Sequence, residues 1–333
     1  MLFIDKLIEA VIEKKSPCVV GLDTLPEYAP EGAGGEGAEG ADARTAADGE
    51  GADGADARAA AGAKAIASFN RAVIDAVCDV VPAVKPQLAY YERLGQWGMR
   101  AFWDTVAYAH GKGLLVIADG KRCDIGATAS AYADAYLGGG GNGGGGGSGS
   151  LHVESADALT VNPYLGGDSV APFIDRCRSH GKGVFMLVKT SNASSGDIQD
   201  LELADGRKVH DAVAGLVEVW GEGLVGAYGY SSVGAVVGAT FPKQAQALRK
   251  SMRRAYFLVP GYGAQGGGAQ DAAAAFDMSG LGAVVNASRS VLCAWSHPRW
   301  NGKFSQLNFA DAARAEALRM RSEINAAIGA SAF

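Results

Sequence analysis

Two lysines and three carboxylates stand where apolar runs of this chain end. The densest group is Asp119-Gly-Lys121-Arg-Cys-Asp124-Ile125, which follows the apolar stretch 114–118. Asp119 and Lys121 are two apart on an expected strand, so both side chains should share one face. Asp124 lies just beyond, in the loop. Lys85 ends a second run and Asp23 a third. A row of alternating acids and bases fixes the geometry of charge without a metal. A solvated rim does not explain charges that directly follow four or more buried apolar residues. A structural ion-pair network or a site built on fixed charge does.

The elements that must position these groups repeat along the chain. The N-terminus is an amphipathic helix, with Phe3, Leu7, Ile8, Val11 and Ile12 at helical spacing. Strands are expected at 18–23, 83–87, 114–121, 158–162, 183–188, 233–238, 256–260 and 283–287. Helices are expected between them. One carries Ile66, Phe69, Val73, Val77 and Val80 on one face, and others fall at 99–110, 127–136, 170–180, 209–220, 242–252, 269–276 and 308–328. Continuous apolar strands alternating with helices imply a parallel sheet covered on both faces. Eight such units close most naturally into a (β/α)8 TIM barrel with an extra N-terminal helix. An open doubly wound sheet would carry a GxGxxG turn after its first strand, and none is there. In a barrel, chemistry belongs at the C-terminal strand ends. Those ends also hold Asn162, the stretch 189–192, Thr240, the glycine-rich 261–267, Ser288 and Arg289.

Composition sets the outer limits. The 333 residues are 48% apolar and 20% charged, the mix of a globular protein. The 48 glycines are about twice the usual share of ~7%. They concentrate in two inserts within what reads as one barrel domain over 1–333. Residues 31–60 are acidic and Gly/Ala-rich, and GADAR occurs at both 40–44 and 54–58. This segment holds eight acids and two bases, so it alone accounts for the net charge of −6. The rest of the chain is neutral on balance, which gives no basic surface for nucleic acid. Residues 138–150 are a glycine-rich, linker-like run. Both inserts are expected to be flexible. The run 138–150 joins a helix to the next strand and so belongs on the face opposite the site; its deletion is expected to leave activity intact. No apolar stretch is long enough to span a membrane, and the N-terminus lacks a signal-peptide cleavage site. The five scattered cysteines show no zinc spacing and read as reduced thiols in a cytoplasmic protein.

The Asp119–Ile125 segment resembles the DxKxxDI signature of the orotidine 5′-phosphate decarboxylase family. The resemblance continues along the chain in the family's order. It takes in Leu22-Asp23, Val84-Lys85-Pro86-Gln87, Thr128, Val161-Asn162-Pro163-Tyr164-Leu165-Gly166, Lys189-Thr190-Ser191-Asn192, Pro260-Gly261-Tyr262-Gly263-Ala264-Gln265-Gly266-Gly267 and Ser288-Arg289-Ser290. It is similar to the longer bacterial branch and covers the chain apart from the two inserts. Ala193 departs from it, because that branch usually has proline after Thr-Ser-Asn.

The resemblance implies decarboxylation of orotidine 5′-monophosphate to uridine 5′-monophosphate (UMP), the last step of de novo pyrimidine synthesis, with no cofactor and no metal. It implies catalytic roles for Lys85, Asp119, Lys121 and Asp124. Lys121 would stabilise and protonate a carbanion at C6 of the pyrimidine, and Asp119 would hold Lys121 and face the substrate carboxylate. Lys85 would complete the charge row and contact the ribose. Asp124, with Ile125 and Thr128, would reach the active site of a neighbouring subunit in a homodimer. Asp23 would bind ribose hydroxyls, Ser191 the pyrimidine amide edge, and Gln265 and Arg289 the phosphate. A metal-dependent keto-gulonate 6-phosphate decarboxylase of the same superfamily is the nearest alternative. It carries an acid after strand two where this chain has Lys85. A non-catalytic nucleotide-binding barrel would have no use for the intact charged set.

Overall fold

Alternation along each strand decides which side chains point into the barrel and which point at the helices around it. A computed structural model describes residues 1–30, 52–138, 154–264 and 266–329. Strands β1 (Cys18–Leu22), β2 (Ala83–Pro86), β3 (Leu115–Arg122), β4 (Ala158–Val161), β5 (Gly183–Lys189), β6 (Ser231–Val237), β7 (Ala255–Val259) and β8 (Ala283–Ala287) lie in chain order. Each is parallel to the next, and β1 pairs with β8 to close the barrel. The helical segments are α1 (Phe3–Glu13), α2 (Ala52–Val77), α3 (Leu88–Glu92), α4 (Gly95–Gly111), α5 (Gly126–Leu137), α6 (Gly167–His180), α7 (Gly196–Gln199), α8 (Val209–Trp220), α9 (Pro242–Ser251), α10 (Ala269–Ala273), α11 (Arg289–Leu292) and α12 (Phe309–Ile328).

Two apolar layers result. Val20, Val84, Val116, Leu159, Val184, Phe257 and Val285 pack outward against the helices. Val19, Ala83, Ile117, Ala158, Phe185, Leu258 and Val284 form the inner layer. Helix α1 closes this layer from below with Phe3, Ile4, Leu7, Ile8 and Val11. Phe3 meets Phe185 edge to face, with ring centroids 6.0 Å apart. The amphipathic N-terminal helix is therefore the plug of the barrel, and the polar strand ends lie at its opposite mouth.

The acidic segment is shorter than its composition suggests. Helix α2 begins at Ala52, so the second GADAR copy lies in its first turns. Alanine is the best helix former, and the run from Ala57 to Ala67 is rich in it, so helix extends where no apolar periodicity marks it. Asp56 of that copy accepts a hydrogen bond from Trp97 Nε1 at 2.8 Å, which ties the start of α2 to α4. The first copy, at 40–44, and residues 139–150 of the glycine run lie outside the described residues. The ends that flank that run, Leu137 of α5 and β4, belong to the face opposite the site. Helix α4 begins at Gly95 rather than 99, and Gly98 of its first turn is buried.

That opposite face carries an ion-pair cluster with a definite pH signature. His110 Nε2 lies 2.9 Å from Asp157 Oδ2, which also accepts the Val116 amide at 2.8 Å. Burial alone would lower the His110 pKa, but Asp157 and Glu154 outweigh it and raise it above 6.5. Burial would raise the Asp157 pKa, but His110 and the Val116 amide hold it below 3.8. The histidine's contribution is complete below 6.5 and fades as pH rises through its raised value. That of Asp157 is complete above 3.8 and fades as pH falls. Against His110→Gln, the wild type should therefore be more stable by about 1 kcal/mol at pH ~5, and by much less at pH ~8.5. Urea unfolding at the two pH values checks this. An equal difference at both would remove the charge from the explanation.

Candidate active site

The functional layer is one step up the inner face of the barrel. Lys85 stands two residues after Ala83, Asp119 two after Ile117, Thr160 two after Ala158 and Asn286 two after Val284. The period of two keeps each on the inward face, above the apolar plug. They line a cavity of about 530 Å³ together with Asp23, Gln87, Tyr90, Lys121, Ser191 and Arg289. Gly21 packs close beside them: a Cβ there would lie 2.0 Å from Ser288 Oγ, so the serine would have to move.

Asp119 is the hub. Its Oδ2 accepts from Lys85 Nζ at 2.7 Å and from Gln87 Nε2 at 3.1 Å. Its Oδ1 accepts from Lys121 Nζ at 2.6 Å and from Thr160 Oγ1 at 2.8 Å. Burial would push its pKa up, but the two ammonium groups outweigh this and hold the carboxyl well below the usual carboxylate range. Burial would likewise depress Lys85, but Asp119 and Asp23 keep it protonated and above its ordinary value. The row is thus cation, anion, cation, with every charge paired. The two lysines differ in access: the Lys85 side chain is 5% exposed and that of Lys121 45%.

Lys121 does not reach Asp119 by regular strand geometry. Pairing between β3 and β4 shifts register between Ala118 and Arg122, and Lys121 has φ +46°. This left-handed conformation costs a non-glycine residue about 1–2 kcal/mol. The Lys121 amide is held there by a bond to Thr160 Oγ1 at 2.9 Å. The expected shared face is reached through a bulge and a strained residue, a combination that recurs at functional sites.

Asp23 Oδ1 and Asn286 Oδ1 are buried without a hydrogen-bond partner. Unmet acceptors at a cavity wall cost stability and suit a ligand that brings donors such as hydroxyls. Arg289 opens α11 at the end of β8, on the same wall as Gly261, Tyr262 and Ala264 of the glycine-rich loop. That loop folds back on itself through Gly263 N to Gly267 O at 2.8 Å and Gly267 N to Gly261 O at 3.1 Å. Gln265 lies outside the described residues. Ser191 lines the cavity, whereas Asp124 and Thr128 do not. Asp124 Oδ1 instead accepts the Ile125 amide at 2.8 Å, and Thr128 is exposed on α5. Among the lining residues given no role from sequence are Thr160, Tyr90, Gln199 and Asn286. Strand alternation from Ala158 and Val284 would have found Thr160 and Asn286; no local signal marks Tyr90 or Gln199. Among the described residues, no group of three or more His, Cys, Asp or Glu side chains is placed to hold a metal ion.

Comparison with known proteins shows which family the chain resembles. The model of the family described as orotidine 5′-phosphate decarboxylase / HUMPS matches residues 56–299. The chain is 45% identical over 262 residues to an orotidine 5′-phosphate decarboxylase of Rhodopirellula baltica, covering 79% of this chain and 84% of that protein. It is 39% identical over 324 residues to the Clostridium perfringens protein of the same name, covering 97% and 98%. The solved structure of Leishmania donovani OMP decarboxylase superposes with a TM-score of 0.70 at 28% identity, covering 99% of this chain and 100% of that one.

Proposed function

This chain belongs to the orotidine 5′-phosphate decarboxylase / HUMPS family, and from that membership and its site we infer that it converts orotidine 5′-monophosphate to UMP and CO2 in pyrimidine nucleotide synthesis. The observation that carries the reading is the Lys85–Asp119–Lys121 row set in the cavity wall.

The chemistry assigned to the row comes from the bond that breaks. Loss of CO2 leaves the electron pair on C6, where no adjacent carbonyl delocalises it well. Fixed charge must supply the stabilisation, and a cation held beside C6 does so without reorganisation. Lys121 takes this role and then gives C6 its proton. Asp119 holds Lys121 and faces the substrate carboxylate, and the repulsion is relieved as CO2 departs. Lys85 keeps Asp119 ionised and in place. Asp23 and Asn286 accept from sugar hydroxyls, and Ser191 reads the pyrimidine amide edge. Arg289, Gln265 and the glycine-rich loop grip the phosphate. The planar guanidinium can meet two phosphate oxygens at once.

Asp124 and Thr128 lie off this cavity, which supports a role between subunits. Ile125 is 56% exposed beside them, and Tyr164 at the next strand end is 78% exposed. We assign this rim to the contact of a homodimer, in which Asp124 serves the neighbouring site. Among the described residues no helix is long and apolar enough to cross a membrane, and a cytoplasmic location fits the pathway proposed.

The test is the ultraviolet absorbance of orotidine 5′-monophosphate mixed with the purified protein, with and without EDTA. Rapid loss of substrate absorbance that chelation leaves unchanged is the expected result. Tight UMP binding without turnover would replace the reading by a nucleotide-binding barrel.

A further inference from the structure

One fully buried charge has no part in the reaction as proposed. Lys189 ends β5, and its side chain is 0% exposed. Its Nζ donates to Asp200 Oδ2 at 2.9 Å and to Ser195 Oγ at 3.1 Å, and sits 4.5 Å from the centre of the Phe241 ring. Ser195 and Asp200 are the residues immediately before and after α7. A single ammonium therefore clips both ends of this one-turn helix to the end of a barrel strand. An apolar side chain could fill the same space without the cost of burying charge.

What the clip holds is the wall of the cavity. Residues 190–194 leave β5 and lead into α7, and Thr190, Ser191 and Asn192 line the cavity. Gln199, next to Asp200, brackets Thr190: its Oε1 accepts the Thr190 amide at 3.0 Å and its Nε2 donates to Thr190 Oγ1 at 2.8 Å. His210 Nδ1 lies 2.8 Å from the Gln199 carbonyl and supports it from behind. On the other flank, Thr240 Oγ1 donates to the Ser191 carbonyl at 3.0 Å. Ser191 is thus fixed on both sides, and one of the two fixings runs back to Lys189. Among the described groups facing Lys189 and Asp200, Lys208 Nζ lies 3.9 Å and His210 Nδ1 3.3 Å from Asp200 Oδ1.

We propose that Lys189 is a positioning residue for base recognition: through Asp200 and Gln199 it holds Ser191 in register with the pyrimidine edge of the substrate. This rests on the function proposed above. It separates two parts of ligand binding, because the base is read by the β5 end and the phosphate by the β7 and β8 ends. Loosening the first should leave the second intact.

The experiment measures dissociation constants of UMP and of ribose 5-phosphate, which has the sugar phosphate but no base, for wild type, Lys189→Met and Gln199→Met. Gln199→Met keeps the buried ion pair and so serves where Lys189→Met fails to fold. The expected result is UMP affinity weakened about tenfold in either variant, the worth of a well-placed hydrogen bond. Ribose 5-phosphate affinity should stay within about twofold of wild type. KM for orotidine 5′-monophosphate should rise by the same factor as the UMP constant, with kcat changed much less. Equal weakening of both ligands would reduce Lys189 to general support of the fold, and no weakening of either would remove the link to Ser191; both overturn the proposal. Turnover by the wild-type enzyme in the same assay separates failure of this inference from failure of the functional reading.

Discussion

Lys121→Ala should lose at least about a thousandfold in kcat while still binding UMP. In the proposed mechanism two effects go with the ammonium: the charge that steadies the C6 carbanion, and the proton delivered to it. Removal of a single electrostatic donor costs about 10²–10³ in rate, and loss of a general acid about 10²–10⁴. The rest of the site should survive. Asp119 keeps Lys85 at 2.7 Å, Gln87 at 3.1 Å and Thr160 at 2.8 Å, so no carboxylate is left unpaired. Alanine at φ +46° bears the same backbone strain as lysine, so the substitution adds none. Single-turnover kinetics beside a UMP titration checks both halves. Near-native turnover would take Lys121 out of the chemistry.

Arg289→Ala should reduce kcat/KM about a thousandfold and leave the barrel folded. Two charge-assisted hydrogen bonds to a phosphate are worth roughly 3–5 kcal/mol, and in transition-state terms they appear in kcat/KM. Arg289 is at the strand-end surface of the cavity and outside both apolar layers, so its removal opens no hole in the core. The loss should nearly vanish for orotidine, which has no phosphate to hold. That comparison isolates the phosphate contact from any change in the charged row. Remote binding energy of this kind serves the reaction by holding substrate and row together. Ordinary kinetics with the phosphorylated substrate would remove Arg289 from the phosphate site.

The barrel was legible because its strands are continuous apolar runs and its site residues come directly after them. Lys85, Asp119 and Asn286 needed only strand periodicity to be placed on one inward face. Lys121 shows the limit of that argument. Its side chain arrives where alternation puts it, but through a register shift and a left-handed residue, and neither has a mark in the sequence. The start of α2 was hidden for another reason. Residues 54–60 bury little, so no apolar stripe announces a helix that propensity and the Asp56–Trp97 bond sustain. Gln199 lies far from any motif core, and its importance comes from a tertiary bond to Thr190 that only folding brings about. Asp124 belongs to the motif yet does not line the cavity. A motif carries residue identity but not where the fold sends each side chain.

The unequal exposure of the two lysines sets the proton economy of the proposed cycle. Each turnover trades a carboxylate for a C–H bond, so one proton must enter the site per CO2 released. Lys85, 5% exposed and pinned to Asp119, is sealed from water and keeps its proton throughout. In that cycle Lys121, 45% exposed, would become neutral on giving its proton up and is open to solvent for the next one. In the proposed cycle the dry lysine would be a permanent counter-charge and the wet one a rechargeable donor. The one carboxylate between them would hold both in place while the outer one is recharged.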